Sequence, residues 1–299
     1  MNHMEMATKI ERGDGFIAAL DQSGGSTPKA LKGYGIDEDA WSNDEQMFDL
    51  IHKMRTRIIT SPSFSDGKVI GAILFERTMD GLVNGKPTPQ ALIDRGIVPF
   101  IKIDKGLEAE ENGVQLMKPI PDLRRLLDHA RSLSVFGTKE RSVINSADPV
   151  GIALVVTQQF QIAKQVLDAG LVPIIEPEVN IKSADRTTSD DLLLAAILEE
   201  LDEIPEGERV MLKLSLPAKA GLFEPLIANE KVLRVVALSG GFSRADACRE
   251  LARNPGMIAS FSRALLSDLR AQQSDAEFDH VLGTAIDEIY QASTSKVPA

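Results

Sequence analysis

Eight short apolar runs recur along this chain, separated by loops and amphipathic stretches. They are Phe16–Asp21, Val69–Phe75, Val98–Asp104, Val135–Glu140, Val172–Val179, Val210–Leu216, Arg234–Gly241 and Met257–Ser262. Near-continuous apolarity over six to eight residues predicts strands buried on both faces. Helical periodicity occupies Glu45–Thr60, Pro121–Leu133, Val155–Ala169, Thr188–Leu201, Phe223–Ala228 and Ser243–Asn254, and Phe278–Ala292 closes the chain. Eight strand–helix repeats without a break in composition favour one closed (β/α)₈ barrel, parallel strands inside and helices outside, over an open doubly wound sheet. There is no G-x-G-x-x-G or G-x-x-x-x-G-K-[ST] pattern and no low-complexity linker, so residues 1–299 read as a single domain.

Composition narrows the function classes. A formal charge of −11 argues against a general nucleic-acid or anionic-membrane surface, though it leaves room for a local basic pocket. The N-terminus carries no apolar signal core, and no apolar run is long enough to span a bilayer. Cys248 is the single cysteine and lies in a helix-like run, which reads as a structural thiol and a cytoplasmic setting. His3, His52, His129 and His280 are scattered and match no zinc pattern, so neither a metal nor a cofactor is expected.

In a barrel, polar residues at the carboxyl ends of the strands and on the inward face form the site. Lys213 interrupts the apolar run Val210–Leu216 and shares a face with Met211 and Ser215, while the leucines take the other. A lysine in a packed interior is costly when charged, which favours the free amine, a nucleophile toward carbonyls. By itself it reads more readily as a buried lysine held by a carboxylate for structural reasons. Other strand ends supply Asp21, Lys102 and Asp104, Lys139 and Arg141, Glu176 and Glu178, Ser239-Gly240-Gly241, and Ser260 with Arg263. Alternation aligns Phe100, Lys102 and Asp104, then Gly137, Lys139 and Arg141, then Ile174, Glu176 and Glu178. A ring of ionisable groups on buried strands favours catalysis over surface.

Two anion sites follow. Ser239, Gly240 and the Ser260–Arg263 segment occupy the place where barrels commonly bind phosphate. Opposite them, Ser23 and Ser26 lie in the turn after Asp21, near Lys102 and Arg141. A bisphosphate would span both. Lys139 would disfavour a second positive charge beside it, Glu176 could shuttle protons, and Asp21 could accept a hydroxyl proton as a neighbouring carbon–carbon bond breaks. These roles compose a retro-aldol reaction with a Schiff base as electron sink.

The motifs also resemble a family. Ala18-Ala19-Leu20-Asp21-Gln22-Ser23-Gly24-Gly25-Ser26, Ile101-Lys102-Ile103-Asp104-Lys105-Gly106, Ile175-Glu176-Pro177-Glu178, Leu212-Lys213-Leu214, Leu238-Ser239-Gly240-Gly241 and Ser260-Phe261-Ser262-Arg263-Ala264-Leu265 look like class I fructose-1,6-bisphosphate aldolase, closest to its shorter bacterial branch. The resemblance implies metal-independent, reversible cleavage of fructose 1,6-bisphosphate to dihydroxyacetone phosphate and glyceraldehyde 3-phosphate in glycolysis and gluconeogenesis. It implies Lys213 as Schiff-base lysine, Glu176 as acid/base, Asp21 and Lys139 as assistants, and Glu178 as an organiser of charge. It assigns Ser239, Gly240, Ser260 and Arg263 to the 1-phosphate, and Ser23, Ser26, Lys102 and Arg141 to the 6-phosphate. A homo-oligomer is expected. Gln22 departs from the pattern, standing where the longer eukaryotic members have an acidic residue, and Ser262 replaces a glycine. The chain ends without their long tail and terminal tyrosine; Tyr290 reads as packing, and the group that protonates the enamine stays open. Alternatives are a Schiff-base aldolase for another phosphosugar, such as tagatose 1,6-bisphosphate, and a non-catalytic sugar-phosphate-binding barrel.

Overall fold

Eight parallel strands form the barrel: β1 Phe16–Leu20, β2 Val69–Leu74, β3 Val98–Lys102, β4 Gly137–Ile144, β5 Val172–Val179, β6 Val210–Ser215, β7 Val232–Leu238 and β8 Ile258–Ala259. This computed structural model describes residues 1–65 and 67–298. Each strand pairs in parallel with the next, from β1 through to β8. Closure between β8 and β1 is thin: the Ala19 amide donates to the Phe261 carbonyl at 3.2 Å. The expected eighth strand, Met257–Ser262, is paired only over its middle.

Alternation splits the apolar residues into two cores. Ile17, Ile73, Phe100, Ile174, Met211, Val236 and Ile258 fill the barrel interior. Ala18, Ala72, Ile101, Ile175, Leu212, Val235 and Ala237 pack outward beneath the helices. The interior fill occupies the amino half, where Phe100 meets Phe136 edge to face with ring centres 5.5 Å apart. Gly137 makes room for this ring: a Cβ there would lie 2.1 Å from the Val172 carbonyl oxygen and 3.0 Å from Phe100.

The expected helices form, with ends set by caps. Asp148 accepts from the Gly151 amide at 2.8 Å, and Pro149 opens Pro149–Asp168. Ser274 and Glu277 form a capping box on Asp275–Thr294. Several elements were not foreseen, among them the helices Ser26–Gly33 and Thr88–Asp94 and a helix at the amino end. His3–Arg12, capped by Asn2 and Glu5, closes the amino end of the barrel with Met6 and Ile10 against the interior core. The fourth strand also starts two residues later than expected and runs to Ile144, where Val114–Gln115 pairs antiparallel with its end. Tyr290 packs against the outer core, as expected. Cys248 is half-buried, and burial with Glu288 nearby pushes its thiol up to about 11. Among the described residues no helix is long and apolar enough to cross a membrane.

Candidate active site

Above the apolar fill, the inward positions turn polar, and their side chains meet at the carboxyl end of the barrel. Lys213 Nζ lies 3.0 Å from Glu176 Oε1, across the pairing of β5 with β6. The other oxygen of Glu176 is 2.9 Å from Lys139 Nζ on β4. Lys139 also sits 2.7 Å from Asp21 and 3.7 Å from Asp104. The five groups are buried; Lys213 is 4 % exposed. The expected alternation therefore brings Asp104, Lys139, Glu176 and Lys213 together from β3, β4, β5 and β6, and Asp21 joins them from the end of β1.

The network sets its own charge states. Burial opposes the charge on Lys139, yet Asp21, Glu176 and Asp104 together raise its pKa. Burial likewise opposes ionisation of Asp21, but the ammonium groups of Lys139 and Lys213 hold its carboxyl well below the usual range. Lys139 is thus held as a cation and Asp21 as an anion.

Toward the mouth, the expected phosphate ligands behave differently on the two sides. Lys102 is 2.6 Å from Asp104, and burial lowers its pKa against the pull of that carboxylate. Arg141 pairs with Glu178 at 2.9 Å, and despite burial Glu178 and Glu176 raise its pKa. Both cations are thus already paired. Ser23 and Ser26 bond to each other: the Ser23 amide donates to Ser26 Oγ at 2.9 Å, and that hydroxyl donates back to the Ser23 carbonyl. On the other side the donors are free. Ser260 Oγ is buried and has no hydrogen-bond partner. The guanidinium of Arg263 is exposed and makes no hydrogen bond or ion pair among the described residues. Gly240 and Gly241 take φ of 56° and 104°, and a Cβ on Gly241 would lie 3.9 Å from Arg263 Nη1. The Ser239-Gly240-Gly241 turn and Arg263 therefore line one recess.

Asp104 was placed in the ring by alternation but given no role. It joins Lys102 to Lys139 and accepts from the Arg141 backbone amide at 3.3 Å, so it ties two ammonium groups to β4. Arg55 was missed altogether. Its signal was present: it follows Ile51 and precedes Ile59 at helical spacing on a buried face.

The family model described as fructose-bisphosphate aldolase class-I (glycolytic) matches residues 3–202, more than half of the chain. The chain belongs to the class I fructose-bisphosphate aldolase family. Aldolases of this class work through a Schiff-base lysine without a metal, and the family places this chain among the lyases. Among solved structures, it is similar to the fructose-bisphosphate aldolase of Plasmodium falciparum, solved in complex with TRAP and a small-molecule inhibitor. That pair shares 20% identity over 99% of this chain and 96% of that one, with a TM-score of 0.77. At this identity the likeness concerns the barrel. A looser resemblance, at 11% identity and TM-score 0.46 over 94% and 96% of the two chains, is to a sugar phosphate isomerase/epimerase from Parabacteroides distasonis. Membership of the aldolase family covers β1 to β5 and so includes Asp21, Lys102, Lys139, Arg141, Glu176 and Glu178; Lys213 lies beyond the matched residues.

Proposed function

We propose that the chain catalyses reversible cleavage of fructose 1,6-bisphosphate to dihydroxyacetone phosphate and glyceraldehyde 3-phosphate, with Lys213 as the Schiff-base lysine. One observation carries the reading: Lys213 and Lys139 flank the two oxygens of a single buried carboxylate, Glu176, at 3.0 and 2.9 Å. That arrangement lets one ammonium yield its proton while the other keeps the carboxylate oriented.

Glu176 takes a proton from Lys213, and the free amine attacks the C2 carbonyl. The carbinolamine hydroxyl, protonated from Glu176, leaves as water and gives an iminium. Asp21 accepts the proton of the C4 hydroxyl. The C3–C4 bond breaks, its electron pair passes to the iminium as an enamine, and glyceraldehyde 3-phosphate departs. Protonation at C3 and hydrolysis then release dihydroxyacetone phosphate and the amine. Asp21 is a weak base while Lys139 holds it, so the C4 hydroxyl has to replace that contact before the proton moves.

Ser260, Ser239, Gly240 and Arg263 would hold the 1-phosphate. Ser23, Ser26, Lys102 and Arg141 would hold the 6-phosphate by opening their present pairs, and Glu178 would order Arg141. No metal or other cofactor enters these steps. The setting would be cytoplasmic sugar metabolism, with the chain as a homo-oligomer.

Borohydride reduction with dihydroxyacetone phosphate, followed by peptide mass mapping, tests the chemistry. The adduct is expected on Lys213 and absent from Lys213→Ala; an adduct on another lysine refutes the assignment. Cleavage rates on fructose 1,6-bisphosphate and fructose 1-phosphate test the second phosphate, and equal kcat/KM would remove the bisphosphate claim.

A further inference from the structure

Helix Asp44–Thr60 buries an arginine that pairs with no carboxylate among the described residues. Arg55 is fully enclosed. Its Nη1 donates to Thr78 Oγ1 at 2.6 Å, while Nη2 donates to the Gln22 carbonyl at 2.5 Å and to Gln22 Oε1 at 3.1 Å. Its Nε finds no partner. An unpaired buried guanidinium is costly, and here burial, only partly offset by Asp21, pushes its pKa down to about 10.

Arginine has donors only, so it fixes which end of the Gln22 amide faces it. The oxygen turns toward Arg55 and the nitrogen turns away. Gln22 Nε2 then donates to Ser262 Oγ at 2.5 Å, and more weakly to the Ala19 carbonyl at 3.4 Å. This bond lies beside the seam, where β1 and β8 otherwise share the single Ala19–Phe261 hydrogen bond. Gln22 follows Asp21 directly, and Ser262 precedes Arg263 directly.

Two positions singled out in the sequence as departures, an amide in place of an acid and a serine in place of a glycine, therefore touch. A glycine at 262 would offer Gln22 no hydroxyl, whereas the serine accepts from its amide.

We propose that Arg55, Gln22 and Ser262 form a positioning brace across the seam, holding the Arg263 recess at a fixed distance from Asp21 so that a gripped phosphate brings the substrate to the base. The brace itself stands on the geometry; its effect on a sugar bisphosphate rests on the aldolase reading. Gln22 and Ser262 are positioning residues, acting through Asp21 and Arg263.

A double-mutant cycle tests it with Gln22→Met, which keeps length and loses the side-chain hydrogen bonds to Arg55, Ser262 and Ala19, and Ser262→Ala. Each single variant is expected to raise KM for fructose 1,6-bisphosphate about tenfold, with kcat changed less than about threefold. The double variant should be no worse than either single, because one contact is being removed twice. Additive losses in the double variant, or wild-type KM in both singles, overturn the brace. Inorganic phosphate, read as a thermal shift, supplies a measure independent of turnover. The wild type should be stabilised by phosphate, and both singles should lose most of that shift; an undiminished shift in both overturns the brace. If the wild type neither cleaves the sugar nor is trapped by borohydride, the aldolase reading fails, and the phosphate shift still decides the brace.

Discussion

Lys139 shows how much one side chain can decide in this barrel. Its single ammonium contacts three buried carboxylates, Asp21, Asp104 and Glu176, the last of which also meets Lys213. Lys139→Met removes the cation and keeps the aliphatic stem. Stability should fall by about 3–5 kcal/mol, as for breaking a buried pair, and kcat by about 10²–10⁴-fold, the range for a lost acid/base step. Urea denaturation and steady-state kinetics on the same preparation measure both. Glu140, the next residue, faces outward into the core beneath the helices. It is fully buried, accepts from Thr138 Oγ1 at 3.1 Å, and leaves one oxygen without a partner. Burial raises its pKa well above the ordinary value, which favours the neutral acid. Because the folded state then binds the proton more tightly than the unfolded one, this residue costs stability as pH rises above about 4.3, the unfolded value. Glu140→Gln should raise the urea midpoint at neutral pH and leave kcat/KM unchanged, whereas a fall in the midpoint would show that the acid is held ionised.

Elements were legible to the degree that burial constrained them. Strands enclosed on both faces had to be largely apolar, with β4 the most polar of them, so all eight stood out, and alternation placed Lys139, Glu176 and Lys213 on one wall. The helix His3–Arg12 did not stand out, because only Met6 and Ile10 are buried and the rest of its surface is polar. Asp104 kept its parity past the end of β3, but nothing local to it told of Lys139 thirty-five residues away. The contact between Gln22 and Ser262 joins residues 240 apart, which no local pattern encodes. Position within the barrel also separates stability from chemistry. Ile10 fills the amino end and Lys213 the carboxyl half, so Ile10→Ala should cost about 2–5 kcal/mol of stability while KM and kcat at 25 °C stay as in the wild type. A matching loss of kcat in fully folded protein would mean that the plug reaches the site.

The whole molecule should carry the charge network as a pH window. Asp21 has a folded pKa below its unfolded value, so its contribution is present above about pH 4 and lost as pH falls through the folded value. Lys139 has a folded pKa above its unfolded value, so its contribution is complete below about pH 10 and lost on rising further. Urea midpoints across pH should therefore fall at both extremes, and Lys139→Met should flatten the alkaline fall. The seam has a different kind of consequence, one of time. β1 emerges first during synthesis and pairs at once with β2, but its free edge waits for Phe261 and Ser262. At about 5–20 residues per second, a delay of 240 residues leaves that edge open for about 10–50 s. The nascent chain is therefore most vulnerable to strand-on-strand association just before β8 and Phe261 arrive, and a ribosome-bound chain stopped short of Phe261 should bind holdase chaperones that the folded barrel does not.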